Sequence, residues 1–236
     1  MKKFVRFILI VLGVAIFACA IFVFSSISNK KDQLDIFYAS MDEFCDAITA
    51  DDVDADKIDE LAGTINSGDD YGYVEQAAKT YLRDIFIPYI TALELEKTSV
   101  FKAGITKEII STEQPEFKDS LQAIDDMEDA ISVMYMAVAD GYFSQEGALQ
   151  YLDEDFDDYY IGLFSEQVEE VYSNEEMMQD YQNYYYFMHD KCVAYRAVIQ
   201  FLIANNGSWR LDGDTVVFKT TTLTNQYNEL LAKVQK

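Results

Sequence analysis

The sequence predicts an all-α protein, with an N-terminal transmembrane helix followed by an antiparallel helical bundle and one small β-hairpin near the C-terminus. Three observations predict it. An unbroken apolar run from Phe7 to Phe24 is bracketed by Lys2, Lys3 and Arg6 before it and by Lys30 and Lys31 after it. Beyond that run, apolar residues recur at spacings of three and four, the period of one helix face. Only two prolines and ten glycines are present to interrupt this periodicity.

The apolar run comes first. Eighteen uncharged residues reach about 27 Å as a helix, close to a bilayer's hydrocarbon thickness, and a start at Phe4 leaves room for tilt. The apolar core of a cleaved secretory signal is shorter, about 7 to 15 residues. Cleavage at Ala18-Cys19-Ala20 would leave Ile21-Phe22-Val23-Phe24 as an apolar stub. A lipid-bearing Cys19 fits less well than an anchor, because apolar residues continue past it. Three basic side chains and the α-amine before the run, against two lysines after it, put the N-terminus inside the cytoplasmic membrane. Residues 1–31 then form a cytoplasmic stub, a signal anchor crossing the lipid bilayer through residues 4–24, and a juxtamembrane link. Residues 32–236 form an acidic extracytoplasmic domain.

The exported helices follow in order. Leu34, Phe37, Tyr38, Met41, Phe44, Cys45 and Ile48 mark the first. The acidic stretch Asp51 to Asp56 offers a cap for a short second helix holding Ile58, Leu61, Ala62 and Ile65, which ends near Ser67-Gly68. A long helix after Asp70 carries Val74 to Leu93 and meets Pro88, which removes a backbone hydrogen bond and is expected to kink or divide it. Residues 99–114 read as a short helix and connection, and Pro115 suits the first turn of the helix from Phe117 to Val138. That helix stops at Asp140-Gly141, where glycine accepts a left-handed cap. Ser144 is expected to cap a further helix, whose stripe runs from Leu149 through Phe156 and Tyr160 to Val171. Ser173 with Glu176 predicts a capping box opening the next. Its seam holds Met178, Tyr181, Tyr185, Met188, Cys192, Tyr195, Ile199 and Leu202, and it ends at Asn205-Asn206-Gly207. Trp209 to Phe218 reads as a hairpin around Asp212-Gly213. A last helix carries Leu223, Tyr227, Leu230, Leu231 and Val234.

Charge bounds the partners. All 42 acidic residues lie after Lys31, with 13 of the 18 basic ones, so residues 32–236 carry a net charge of −29. Residues 119–190 hold 19 carboxylates and no Lys or Arg. Such a surface repels nucleic acid and favours cations or a basic protein. Aromatic residues at 14% and a hydrophobic fraction of 50% exclude the disorder that high acidity otherwise suggests. The layout of anchor and exported bundle resembles the sensory half of a bacterial chemoreceptor, but the chain shows no second apolar run, so that function is not carried over.

Catalytic patterns are lacking: no Gly-rich phosphate loop, no G-x-S-x-G elbow and no H-E-x-x-H occur. Asp52, Asp54 and Asp56, and again Asp153, Asp155 and Asp157, have the alternate spacing of a calcium loop, but the Gly and Glu that complete an EF-hand are missing. The only histidine, His189, lies three residues before Cys192, a spacing that a thiol nucleophile and its base would share. Two ligands make no zinc site, and no cofactor is expected. Cys45 and Cys192 read as buried thiols, a disulfide between them being the alternative. The expected partner contacts are Asp153, Glu154, Asp157 and Asp158 on the acidic face, with Tyr186, the member of the Tyr184-Tyr185-Tyr186 triplet that points away from the seam. The leading expectation is therefore a membrane-anchored interaction module, not an enzyme, that binds a basic or cationic partner. A small-ligand, glycan or cation binding protein with a pocket near Pro88 is the alternative, and a hydrolase fits less well.

Overall fold

The structure, a computed structural model, describes residues 28–50, 53–152 and 156–234. It is mainly helical, a helical bundle with a two-stranded antiparallel hairpin near the C-terminus. In chain order the helices are α1 (Ser28–Thr49), α2 (Ala55–Gly63), α3 (Asp69–Leu95), α4 (Ser99–Ala103), α5 (Lys107–Glu113), α6 (Lys118–Ala139), α7 (Gln145–Leu149), α8 (Asp158–Tyr172) and α9 (Glu175–Ala204). Strands β1 (Trp209–Asp212) and β2 (Thr215–Phe218) precede α10 (Thr221–Val234). Among the described residues no helix is long and apolar enough to cross a membrane. The apolar run expected to span the bilayer, residues 4–24 with Phe7 and Phe24, lies outside the described residues.

The chain divides into two units. The first takes residues up to Ile90 together with Met134–Gln182, and the second takes Thr91–Val133 and Asn183 onward. In the first, α1 buries Phe37, Met41, Phe44 and Ile48, and α3 buries Val74, Ala78, Tyr81, Leu82 and Ile85. Each large apolar side chain removed from water in this way contributes about 1.5–3 kcal/mol before conformational entropy is set against it. Leu163, Phe164, Val168 and Val171 of α8 complete the stripe. Tyr81 sends its hydroxyl to the Tyr142 carbonyl (2.9 Å), and Tyr181 sends its own to the Ile85 carbonyl (2.8 Å), so two deeply buried rings keep their polar ends satisfied.

In the second unit, Ile124, Met127 and Ile131 of α6 are buried, as are Met188, Cys192, Val198, Ile199 and Leu202 of α9. The Arg196 guanidinium reaches Asp125 (2.6 Å) and Glu128 (2.8 Å), pinning α9 to α6. Phe201, Phe218 and Tyr227 pack as an aromatic trio with ring centroids 5.2–6.3 Å apart, fastening the hairpin and α10 to α9. The Trp209 indole N–H donates to the Leu202 carbonyl (2.8 Å).

Several local expectations are corrected. Pro88 lies inside α3, which continues unbroken to Leu95. Pro115 follows a cis peptide bond in the turn before α6 and is not in that helix's first turn. The single helix expected from Ser144 to Val171 is two: Ser144 caps the five-residue α7, and Asp157 then caps α8. A Cβ at Gly147 in α7 would run into the Gly141 carbonyl, and this close approach seats α7 against the left-handed cap of α6. The cap of α9 is Asn174, whose side chain accepts the Met177 N–H (2.9 Å), while Ser173 ends α8 and donates its hydroxyl to the Glu169 carbonyl. Met177, and not Met178, is the buried methionine of the first turn. In the hairpin, Asp212 pairs with Thr215, so the turn centres on Gly213-Asp214, with Gly213 at φ +63°, the glycine-first form of a two-residue loop.

Candidate functional site

The first unit carries an aromatic groove of about 250 Å³, lined by Tyr73, Gln76, Ala77 and Thr80 of α3 and by Tyr151, Leu152 and Phe156 from the segment ahead of α8. Tyr73 is 65% exposed, because the α3 stripe buries Val74, Ala77 and Ala78 and turns residue 73 outward. Its ring lies 6.4 Å from that of Phe156, and Phe156 lies 5.8 Å from Tyr160. Tyr71 meets both Tyr159 and Tyr160 edge-on, and its hydroxyl is 3.1 Å from that of Tyr159. Burial, with that contact, pushes the Tyr71 phenol up from its ordinary pKa. Burial, with the Asp70 and Asp157 carboxylates nearby, pushes Tyr160 up to about 12. At the other end, the Tyr151 hydroxyl donates to Asp84 (3.0 Å), which Arg83 also engages (2.7 Å). Burial likewise raises the Tyr151 phenol, so Tyr71, Tyr151 and Tyr160 are protonated at neutral pH.

Carboxylates stand near these rings, with Asp70 and Asp157 beside Tyr160. Asp157 accepts the Tyr159 and Tyr160 backbone N–H groups (3.1 and 3.2 Å), an N-cap that holds its charge beside Phe156. Asp158 begins α8 and is exposed. Asp69 and Asp70 open α3, exposed, one turn before Tyr73 and on the same side of the helix. Among the described residues no Lys or Arg lines the groove. Of the expected contacts, Asp157 and Asp158 follow the groove residue Phe156 in sequence and are exposed, whereas Asp153 and Glu154 lie outside the described residues. Tyr186 is 58% exposed on α9 in the second unit, its ring 5.1 Å from Tyr185. Sequence reasoning missed Tyr73 and placed Phe156 on a helical core stripe. The signal available for Tyr73 was its position off the Val74–Ala77–Ala78–Tyr81 face.

Behind the groove, α3 holds a buried ion pair. Glu75 and Lys79 are 0% and 1% exposed and meet at 2.8 Å. Glu75 also accepts the Ser40 and Ser67 hydroxyls and the Asn66 and Ser67 backbone N–H groups, and Lys79 donates to Ser40 and to the Thr64 carbonyl. Burial alone would raise the Glu75 pKa, but the bonds from Lys79, Ser40 and Ser67 outweigh it and hold the carboxyl below its ordinary value. Every contact of the pair is internal, so it ties α1 and the α2–α3 loop to α3 and does not face a ligand.

The second unit has a groove of about 390 Å³ along α9 and the end of α10, lined by Phe187, Asp190, Lys191, Val193, Ala194, Ala197, Lys233 and Val234. Lys191 already sits over the Phe187 ring at 4.2 Å and 3.8 Å from Glu96. Pro88 lines neither groove, so the pocket expected there is not one of them.

The His189 and Cys192 arrangement lacks the geometry of a nucleophile and base. His189 is half-exposed beside Asp190, whereas Cys192 is fully buried and burial, with Glu128 nearby, pushes its thiol up to about 12. Cys45 and Cys192 are both unbonded thiols. Among the described residues no group of three or more His, Cys, Asp or Glu side chains gathers as a metal site would require. Asp52, Asp153 and Asp155 of the two aspartate series lie outside those residues. No protein-family model, curated protein or solved structure matches the chain.

Proposed function

We propose that the protein is a single-pass, membrane-anchored extracytoplasmic interaction module, an adaptor whose acidic face engages a basic protein. Residues 4–24 anchor it in the cytoplasmic membrane with the N-terminus inside, on the strength of their length and flanking charge. The observation that carries the binding reading is the exposure of the first unit's carboxylates: Glu146, Asp157, Asp158, Glu169, Glu175, Glu176 and Asp180 all face solvent, in a stretch of sequence without a single Lys or Arg. A field of one sign steers a partner of the other and speeds encounter.

In-cell crosslinking of the full-length protein, followed by extraction and mass spectrometry, tests this. A basic membrane or wall protein should be recovered, and its capture should weaken as salt rises or when acids in 119–190 are neutralised. Recovery of the chain alone, or of a partner indifferent to salt, overturns the reading. Gln76 and Thr80 give the aromatic groove hydrogen-bonding groups that also suit a glycan, and this supports a second reading as a small-ligand binding protein. A reproducible upward shift in melting temperature with neutral oligosaccharides would favour that one.

A further inference from the structure

We propose that the groove bounded by Tyr73 and Phe156 is a receptor for a single cationic side chain, the guanidinium of an arginine or the ammonium of a lysine presented by a protein partner. This rests on the basic-partner reading and names the place and chemistry of contact. Three features of the groove select a cation. Its walls are π faces: Tyr73 presents most of its ring to solvent, and Tyr151 and Phe156 form the rest of the aromatic lining. A cation within about 6 Å of such a ring is attracted by the ring quadrupole. Among the described residues no Lys or Arg lines the groove, whereas Phe44 and Phe187 are already met by Lys79 and Lys191.

The second feature is the rim. Asp157 and Asp158 adjoin Phe156 in sequence, and Asp69 and Asp70 stand one turn before Tyr73. The third is a pair of polar residues in the lining, Gln76 and Thr80, whose side-chain oxygens are able to accept guanidinium N–H bonds. A neutral sugar could give the carboxylates hydroxyl hydrogen bonds but would gain no ion-pair attraction and little salt dependence from them. An anionic ligand would be repelled by them. A volume of about 250 Å³ suits one long side chain and is small for a folded element.

The test uses full-length protein in nanodiscs, titrated with a fluorescent tetra-arginine peptide and its neutral citrulline counterpart. The arginine peptide should bind at least tenfold more tightly. Tyr73→Ala and Phe156→Ala should each weaken binding about two- to fivefold, the range expected of an exposed cation–π contact. Tyr135→Ala, at an exposed tyrosine on α6, should leave it unchanged. Asp157→Asn with Asp158→Asn should flatten the salt dependence while keeping the α8 cap, since asparagine caps as well as aspartate. Melting curves of each variant confirm that the fold is intact. Equal binding of the citrulline peptide, or groove variants that bind like the parent, overturns the inference. If arginine binding stays salt-dependent in those variants, the groove assignment falls and the acidic-adaptor reading stands. Absence of arginine binding by the parent, with no basic protein captured in cells, removes both.

Discussion

At the scale of single residues, the Glu75–Lys79 pair decides most. A salt bridge on the surface would be worth little, but this one is sealed, so removing one partner strands the other charge in a dry interior. Lys79→Met should therefore destabilise by about 3–5 kcal/mol, and Glu75→Leu added to it should recover part of that loss, because the stranded charge is gone while the Ser40, Asn66 and Ser67 donors lose their acceptor. Denaturant melts of the single and double variants measure this, and equal stability of parent and Lys79→Met would contradict it. The thiols make a second case. Cys45 and Cys192 are both held up to about 12, Cys45 by burial and then by Asp42 and Asp46, so thiolate is scarce at pH 8. Maleimide treatment of native protein should leave both unlabelled in peptide maps, with full labelling after denaturation; rapid native labelling of Cys192 would mean that α9 opens readily. Neither feature was legible from sequence in full. Cys192 on the α9 seam was, by periodicity. Glu75 and Lys79 look like an ordinary exposed i,i+4 pair, and only the Ser40, Asn66 and Ser67 groups brought from elsewhere in the chain turn them inward.

At the scale of elements, periodicity located helices well and their ends less well. The seam residues Tyr181, Met188, Tyr195, Ile199 and Leu202 are buried as their spacing requires. The ends depend on which of several adjacent polar residues captures a backbone donor, and propensity separates them by only tenths of a kcal/mol. Ser173 and Asn174 are both good caps. Ser173 loses because its backbone still closes α8, its N–H donating to the Glu169 carbonyl. Asn174→Ala should therefore cost about 1 kcal/mol, and Ser173→Ala close to nothing, in equilibrium unfolding; the opposite order would restore the capping box to Ser173. The break between α7 and α8 was hidden for a similar reason. Leu152, Phe156 and Tyr160 have helical spacing, yet Asp157 folds its carboxylate back onto the Tyr159 and Tyr160 N–H groups and starts the helix afresh. That restart is what frees Phe156 to line the groove. Pro88 does not divide α3: a 27-residue helix tolerates the loss of one hydrogen bond when Ile85, Phe86, Tyr89 and Ile90 around it are all buried.

At the scale of the whole molecule, opposing charge effects set the dependence on pH. Residues 32–236 carry 42 carboxylates against 13 basic residues, so self-repulsion weakens the folded state at neutral pH. Two carboxylates are raised, Asp42 by burial and then by Asp46, and Glu170 by burial and then by Glu169. A carboxyl whose pKa is higher folded than unfolded binds its proton more readily in the native state, so stability grows as pH falls toward that pKa. Glu75 has the opposite sign. Its folded pKa lies below the ordinary carboxylate value, so its contribution is present above that value and is lost as pH falls through the depressed one. The melting temperature should accordingly rise as pH is lowered from 7 toward 5, pass through a maximum and collapse in stronger acid. Added salt should raise it at pH 7, because screening reaches the exposed carboxylates and not the sealed pair. In the Glu75→Leu/Lys79→Met double variant the rising limb should persist while the acid collapse softens, since Glu75 no longer contributes to it. Circular-dichroism melts across pH, for parent and double variant at low and high salt, distinguish these limbs. A parent that loses stability steadily from pH 7 downward would show that paired carboxylates outweigh repulsion, and that the acidic surface is braced from within rather than held ready for a basic partner.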